Sequence, residues 1–91
     1  MNLDVSVTVP QDVMARKVGN ETVILDLANG TYYGLDPVGA RIWQLMAEGQ
    51  KLTQVCEVML AEYETTREVI EHDVLALVHT LIERHLVSAE A

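Results

Sequence analysis

VILDLANGTYYGLDPVGARIW, residues 23–43, contains the strongest structural signals in the chain. An alternating run over residues 21–28 predicts a strand. Asn29-Gly30 follows, and because both residues tolerate positive φ, this pair favours a two-residue hairpin turn. A second short strand over residues 31–35 leads directly into Asp36-Pro37, a pair typical of a helix start, since Asp caps free N–H groups and Pro suits the first helical position.

The predicted two-residue turn fixes a strand register. It pairs Ala28 with Thr31 and Leu27 with Tyr32, and it places Tyr33 and Leu35 on the sheet face opposite the core. A three-residue loop with a bulge would change this register, and the sequence leaves that alternative open. With the two-residue turn, the core face carries Val23, Leu25, Leu27, Tyr32 and Gly34.

The flanking sequence extends this unit to three strands and three helices. Residues 13–18 predict a first regular strand ending at Gly19-Asn20, after a weakly alternating start that Pro10 interrupts. Apolar spacing predicts three helices, from residue 37 to Gly49, over about 53–63 and over about 66–86. Thr65 and Glu68 have the spacing of a capping box at the start of the third helix. We expect one domain, residues 1–91, with an α+β fold. It would be winged helix-turn-helix-like, a three-stranded antiparallel sheet followed by three helices.

The predicted third helix is apolar over roughly half its circumference, from Leu77 through Leu75 to Leu86. One neighbouring element does not need so wide a face. We expect one flank to contact the core and the other to face either the sheet edge or a partner.

Composition excludes several classes of protein. Fourteen acidic and six basic residues give a net charge of −8, which disfavours nucleic acids and anionic membranes as partners. A single cysteine allows no internal disulfide, and no apolar run approaches the ~20 residues of a membrane span. The N-terminal sequence lacks the basic and apolar regions of a signal peptide, so we expect a cytoplasmic protein.

Catalytic and metal-binding groups are not evident. Cys56 lies on the apolar stripe of the second helix, where a cysteine usually behaves as a small buried hydrophobe. His72, His79 and His85 share one helix, and no ligand elsewhere completes a tetrahedral metal set. The sequence contains no Gly-rich phosphate loop and no nucleophile–base pair. We therefore predict a protein that is not an enzyme and that holds no cofactor or metal.

Two alternatives use the same predicted fold. A winged-helix regulator would read DNA with its third helix, but that helix is predominantly acidic where a DNA reader needs a basic face. A protein–protein interaction module would bind a folded partner through the helix flank. Binding of a short extended peptide at the open edge of the strand over residues 31–35 would distinguish a peptide-binding protein from this module.

The residues that carry a family resemblance are Tyr-Tyr-Gly-Leu-Asp-Pro-x-Gly-x-x-x-Trp at 32–43 and TREVIEHDVLALVHTLIERHLV at 66–87. The pattern resembles the family of PQQ-synthesis protein D over about residues 13–88. These are small leader-peptide-binding proteins, also called RiPP recognition elements. The motif at 32–43 is the specific part of the resemblance.

The resemblance implies a peptide chaperone. The leader of a ribosomally made precursor peptide would add as a strand beside the third strand, in a groove shared with the third helix. The protein would present it to a radical SAM enzyme, as in PQQ-type cofactor biosynthesis, or to the protease or cyclase of a lasso-peptide system. An open strand edge can also pair with a second copy, so a homodimer stays open.

The resemblance also implies a set of peptide-binding residues. Asp73 would hold a basic or hydrogen-bonding leader residue, and Leu77 an apolar one. The pairing strand would be Thr31, Tyr32, Tyr33, Gly34 and Leu35, and the helix would contribute Asp73, Ala76, Leu77, Thr80 and Arg84.

Overall fold

Residues 2–90, the part of the chain that the computed structural model describes, form two antiparallel sheets and three helices. The predicted α+β fold, a three-stranded sheet followed by three helices, is confirmed. Residues 1 and 91, the ends of the predicted domain, lie outside the described part. The elements are β1 (Ser6–Thr8), β2 (Val13–Val18), β3 (Glu21–Asp26), β4 (Thr31–Leu35), α1 (Pro37–Ala47), α2 (Leu52–Glu62), α3 (Arg67–Glu83) and β5 (Ser88–Glu90).

The hairpin between β3 and β4 has a four-residue loop, so the predicted two-residue turn is wrong. Asp26 pairs with Thr31, which shifts the register by two residues from the predicted one. The carboxylate of Asp26 accepts hydrogen bonds from the N–H groups of Ala28 and Asn29, and its carbonyl accepts from the N–H of Gly30 at 2.8 Å. These bonds close the loop immediately after Asp26, with Gly30 at φ 69°.

The core face of the sheet is also the opposite of the predicted one. Ile24 is fully buried and Leu35 is buried, whereas Tyr32 is 74% and Leu27 64% exposed. Both faces of β3 carry apolar residues. Asp26 lies on the same face as Ile24, and its polar side chain favoured the prediction that this face is exposed to solvent. Its hydrogen bonds to the loop let Asp26 lie on the buried face.

Helix ends follow local hydrogen bonding. Asp36 caps α1, as predicted, by accepting from the N–H of Gly39 at 2.7 Å. Thr66 rather than Thr65 caps α3, because it is Thr66 whose hydroxyl accepts from the N–H of Val69.

Helix α3 ends three residues before the predicted boundary. His85 adopts φ 60°, and the N–H groups of His85 and Leu86 bond back to the carbonyls of Ile82 and Leu81. This is a Schellman closure with histidine in the position that glycine usually fills. The chain then turns into β5.

A second sheet, which the sequence did not predict, joins the two ends of the chain. Strands β1 and β5 pair through Val7 and Ala89. The N-terminal segment also holds the start of α2, since the N–H of Leu52 donates to the carbonyl of Val5 at 2.9 Å. The helices and the inner face of the larger sheet enclose one core, whose fully buried larger side chains are Ile24, Ile42, Met46, Leu52, Val55, Met59, Val74, Val78 and Leu81.

Candidate functional site: an open strand edge beside a helix

Strand β4 lies at an edge of the three-stranded sheet, whose order is β2-β3-β4. It pairs with β3 on one side, and no strand among residues 2–90 pairs with its other side. The short connection at Asp36 to α1 leaves this edge uncovered. Unpaired N–H and C=O groups on an exposed edge are a template for a further strand.

A groove of about 320 Å³ runs between β4, the start of α1 and the middle of α3. Ile42 is buried beneath it, and Leu77 is half-buried on the α3 wall. A strand added beside β4 would therefore point alternate side chains into this groove. The lining residues are Tyr33, Gly34, Leu35, Asp36, Val38, Gly39, Ile42, Asp73, Ala76 and Leu77.

The site carries acidic side chains in the groove and a basic side chain beyond it. Asp36, directly after the carboxyl end of β4, and Asp73 on α3 line the groove, and both are exposed. Beyond the groove, the guanidinium of Arg84 lies over the ring of Tyr33, with its Cζ 5.1 Å from the ring centroid. A cation over an aromatic face is an attractive contact, so Arg84 is held beside the middle of the strand.

The structure brings most of the predicted helix residues to this site. Asp73, Ala76 and Leu77 line the groove opposite β4. Arg84 reaches the site through Tyr33. Thr80 is half-buried and its hydroxyl donates to the carbonyl of Ala76, so it is tied to its own helix.

The predicted strand residues divide between the two sheet faces. Leu35 is buried and Tyr33 half-buried on the inner face. Tyr32 and Gly34 are exposed on the outer face, and Thr31 is exposed at the start of the strand.

Sequence reasoning missed the contribution of α1. Asp36, Val38, Gly39 and Ile42 line the groove, whereas the sequence indicated only a helix cap at Asp36. A cap that immediately follows an edge strand was the available signal, because it brings the first turn of the helix against that strand. Space is tight there, since a Cβ on Gly39 would lie 3.2 Å from the Asp36 carboxylate.

Catalytic features are weak in the described part of the chain. Burial raises the pKa of the Cys56 thiol, which lowers its thiolate content and its reactivity. Among residues 2–90 no cluster of three His, Cys, Asp or Glu side chains is arranged to hold a metal ion. None of the three helices is long and apolar enough to cross a bilayer.

The sequence profile of coenzyme PQQ synthesis protein D (PqqD) matches residues 21–87, which include the edge strand, the groove and all three helices. The chain belongs to the PqqD family. Because the profile covers most of the chain, the family resemblance seen at residues 32–43 is confirmed. No curated protein sequence matches this PqqD-family chain significantly.

Two solved structures are similar to this PqqD-family protein over nearly their whole length. One is TbiB1 in complex with the TbiA(beta) leader peptide, with 33% identity and a TM-score of 0.83, covering 92% of this chain and 98% of that chain. The other is lasso peptide synthetase B1 complexed with the leader peptide, with 27% identity and a TM-score of 0.83, covering 90% and 96%.

Proposed function

We propose that this protein binds the leader segment of a ribosomally synthesised precursor peptide as an added strand beside β4 and presents it to a modifying enzyme. The observation that carries this proposal is the unpaired side of β4 above the groove at α3. Family membership supports it, as do two similar proteins whose structures hold leader peptides.

Backbone pairing supplies a binding mode without much sequence preference. Every second residue of an edge strand directs its N–H and C=O outward, so a five-residue strand such as β4 offers about four to six hydrogen bonds. Each contributes ~1 kcal/mol net, and fixing each guest residue costs ~1–2 kcal/mol of backbone entropy. These contributions nearly cancel, so side-chain contacts must decide both affinity and selectivity.

The groove provides those side-chain contacts. Leu77 and Val38 would receive an apolar guest side chain, because both are half-buried at its wall. Asp73 would attract a basic or hydrogen-bonding residue in the groove, and Arg84 an acidic residue beside Tyr33. In the strand itself, Thr31, Tyr32, Tyr33, Gly34 and Leu35 would contribute mainly backbone groups.

The recipient of the peptide follows from this role. Of the enzymes considered, a leader protease or cyclase is favoured over a radical SAM enzyme, because one of the two similar structures is a lasso peptide synthetase B1 protein. We place the exchange in the cytoplasm, where the lone thiol of Cys56 would stay reduced.

Binding to DNA is not favoured, since Arg67 of α3 is paired with Glu57 at 2.7 Å and with Glu71 at 3.6 Å.

The test is titration with a linear peptide selected on this protein from a displayed random library, followed by backbone N-methylation of that peptide. Methylating alternate residues gives two sets of peptides with identical side chains. The set whose N–H groups face β4 should lose binding, and the other set should retain it. Equal losses in both sets, or no loss in either, would show that the peptide does not bind as a strand.

A further inference from the structure

Gly34 lies in the interior of β4, where neither backbone conformation nor packing within the chain requires a glycine. Its φ is not positive, unlike that of Gly30 in the hairpin loop. A Cβ built on Gly34 would meet no heavy atom within 4 Å. Glycine inside a strand lowers stability relative to residues with a side chain. No contact or backbone conformation within the folded chain therefore accounts for a glycine at this position.

The missing side chain would point to the outer face of the sheet. Gly34 pairs with Val23, which pairs in turn with Arg16 on β2. Tyr32 lies two residues earlier on the same face and is 74% exposed, and Leu25 is opposite it. The space over Gly34 is thus a notch on the outer face. It is bounded by Tyr32 along the strand and by the half-buried Val23 on β3, and it is open toward the unpaired edge.

A guest strand beside β4 would place one residue directly across from Gly34. Cross-strand neighbours have Cβ positions about 4.5–5.5 Å apart, and a large side chain on one strand commonly covers a glycine on the next. With no side chain on Gly34, such a group reaches Val23. The side chains around the notch are apolar or aromatic, so they favour an apolar or aromatic occupant.

We propose that the leader strand places a large apolar or aromatic side chain across Gly34, resting on Val23 and flanked by Tyr32. This inference rests on the proposed function and deepens it. The guest is read on both faces of its strand: by the groove at α3 on one side and by the Gly34 notch on the other. Guest residues that contact the same side are then an even number of positions apart. A residue that enters the groove and a residue that enters the notch are an odd number of positions apart.

The experiment compares Gly34→Ala and Gly34→Val with the unmodified protein. Met14→Val is the control, because it places the same valine on the same sheet face but two strands away, at the position opposite Leu25. The probe is a displayed library of random linear peptides about ten residues long, selected on the unmodified protein. Selected peptides are then synthesised with the notch-facing residue intact or replaced by alanine.

The two Gly34 variants should bind the selected peptides about tenfold to hundredfold more weakly, the loss expected when one large apolar side chain is displaced. They should also melt about 2–8 °C higher, because a strand glycine has been replaced. Alanine in the peptide should weaken binding to the unmodified protein but not to Gly34→Val, which isolates the coupling between the two positions. Met14→Val should bind as the unmodified protein does.

Two results would overturn the inference while leaving strand addition intact: undiminished binding by Gly34→Val, or a loss that is the same whichever residue the peptide carries at the notch. Failure of the unmodified protein to select any peptide would overturn the proposed function and this inference with it.

Discussion

Replacing Leu77 with aspartate tests the groove with little effect on the core. Leu77 packs against the edge of the core on α3 and is half-buried, and its outer part lines the groove opposite β4. In the complex its remaining exposed surface would be covered by the guest. The Leu77→Asp change removes this contact and puts a carboxylate one helical turn from Asp73.

The expected loss of binding can be built from these contributions. Full burial of a leucine side chain is worth ~1.5–3 kcal/mol, and about half of that remains to be gained on peptide binding, roughly 1 kcal/mol. Covering a carboxylate that has no partner costs a further ~1–3 kcal/mol. The sum of ~2–4 kcal/mol corresponds to a loss of affinity of about thirtyfold to a thousandfold.

The measurement is fluorescence polarisation with a labelled leader that binds the unmodified protein, together with circular dichroism to confirm the fold. The control is His79→Asp, which places the same charge on an exposed position of the same helix away from the groove lining. Leu77→Ala serves as a second variant and should lose about fivefold, since it removes the contact without adding charge. Equal affinity for Leu77→Asp and His79→Asp in folded proteins would refute the groove assignment.

Further predictions concern the elements that position the site. Asp36→Ala should lower the unfolding free energy by ~1 kcal/mol and the melting temperature by about 4–8 °C, because the N-cap bond to Gly39 is lost. Asp26→Ala should cost ~2–3 kcal/mol in urea unfolding, because the buried carboxylate holds the hairpin loop through three hydrogen bonds. The guanidinium of Arg41 lowers the pKa of Glu62, so this ion pair stabilises fully above the carboxyl's unfolded pKa and is lost as pH falls through the lowered value. Glu62→Gln should accordingly flatten the acid side of a plot of melting temperature against pH. The Cys56 thiol should react with a thiol reagent only at the rate of unfolding, because it is buried and its pKa is raised.

The sequence predicted those features that depend on local chemistry. The Asp36-Pro37 helix start and the order of strands and helices needed only neighbouring residues, and they are present as expected. The register of the hairpin failed because the side chain of Asp26 competed with the Asn29-Gly30 turn, and hydrogen bonds to a loop are not visible as periodicity.

Features that depend on distant contacts could not be predicted. Strand β5 exists because it pairs with β1 from the other end of the chain, and a three-residue strand has too little pattern to identify. The core face of β3 was ambiguous because both faces are apolar. At the site, α3 residues were identified through the family resemblance, but the contribution of α1 depends on how its first turn packs against β4.

Hydrogen–deuterium exchange of the β4 amides, with and without a bound leader peptide, tests strand addition most directly. On leader binding, the amides of residues 31–35 that face away from β3 should become protected in an alternating pattern, with smaller changes on the groove side of α3. A leader that binds tightly while these amides exchange as fast as before would contradict the account.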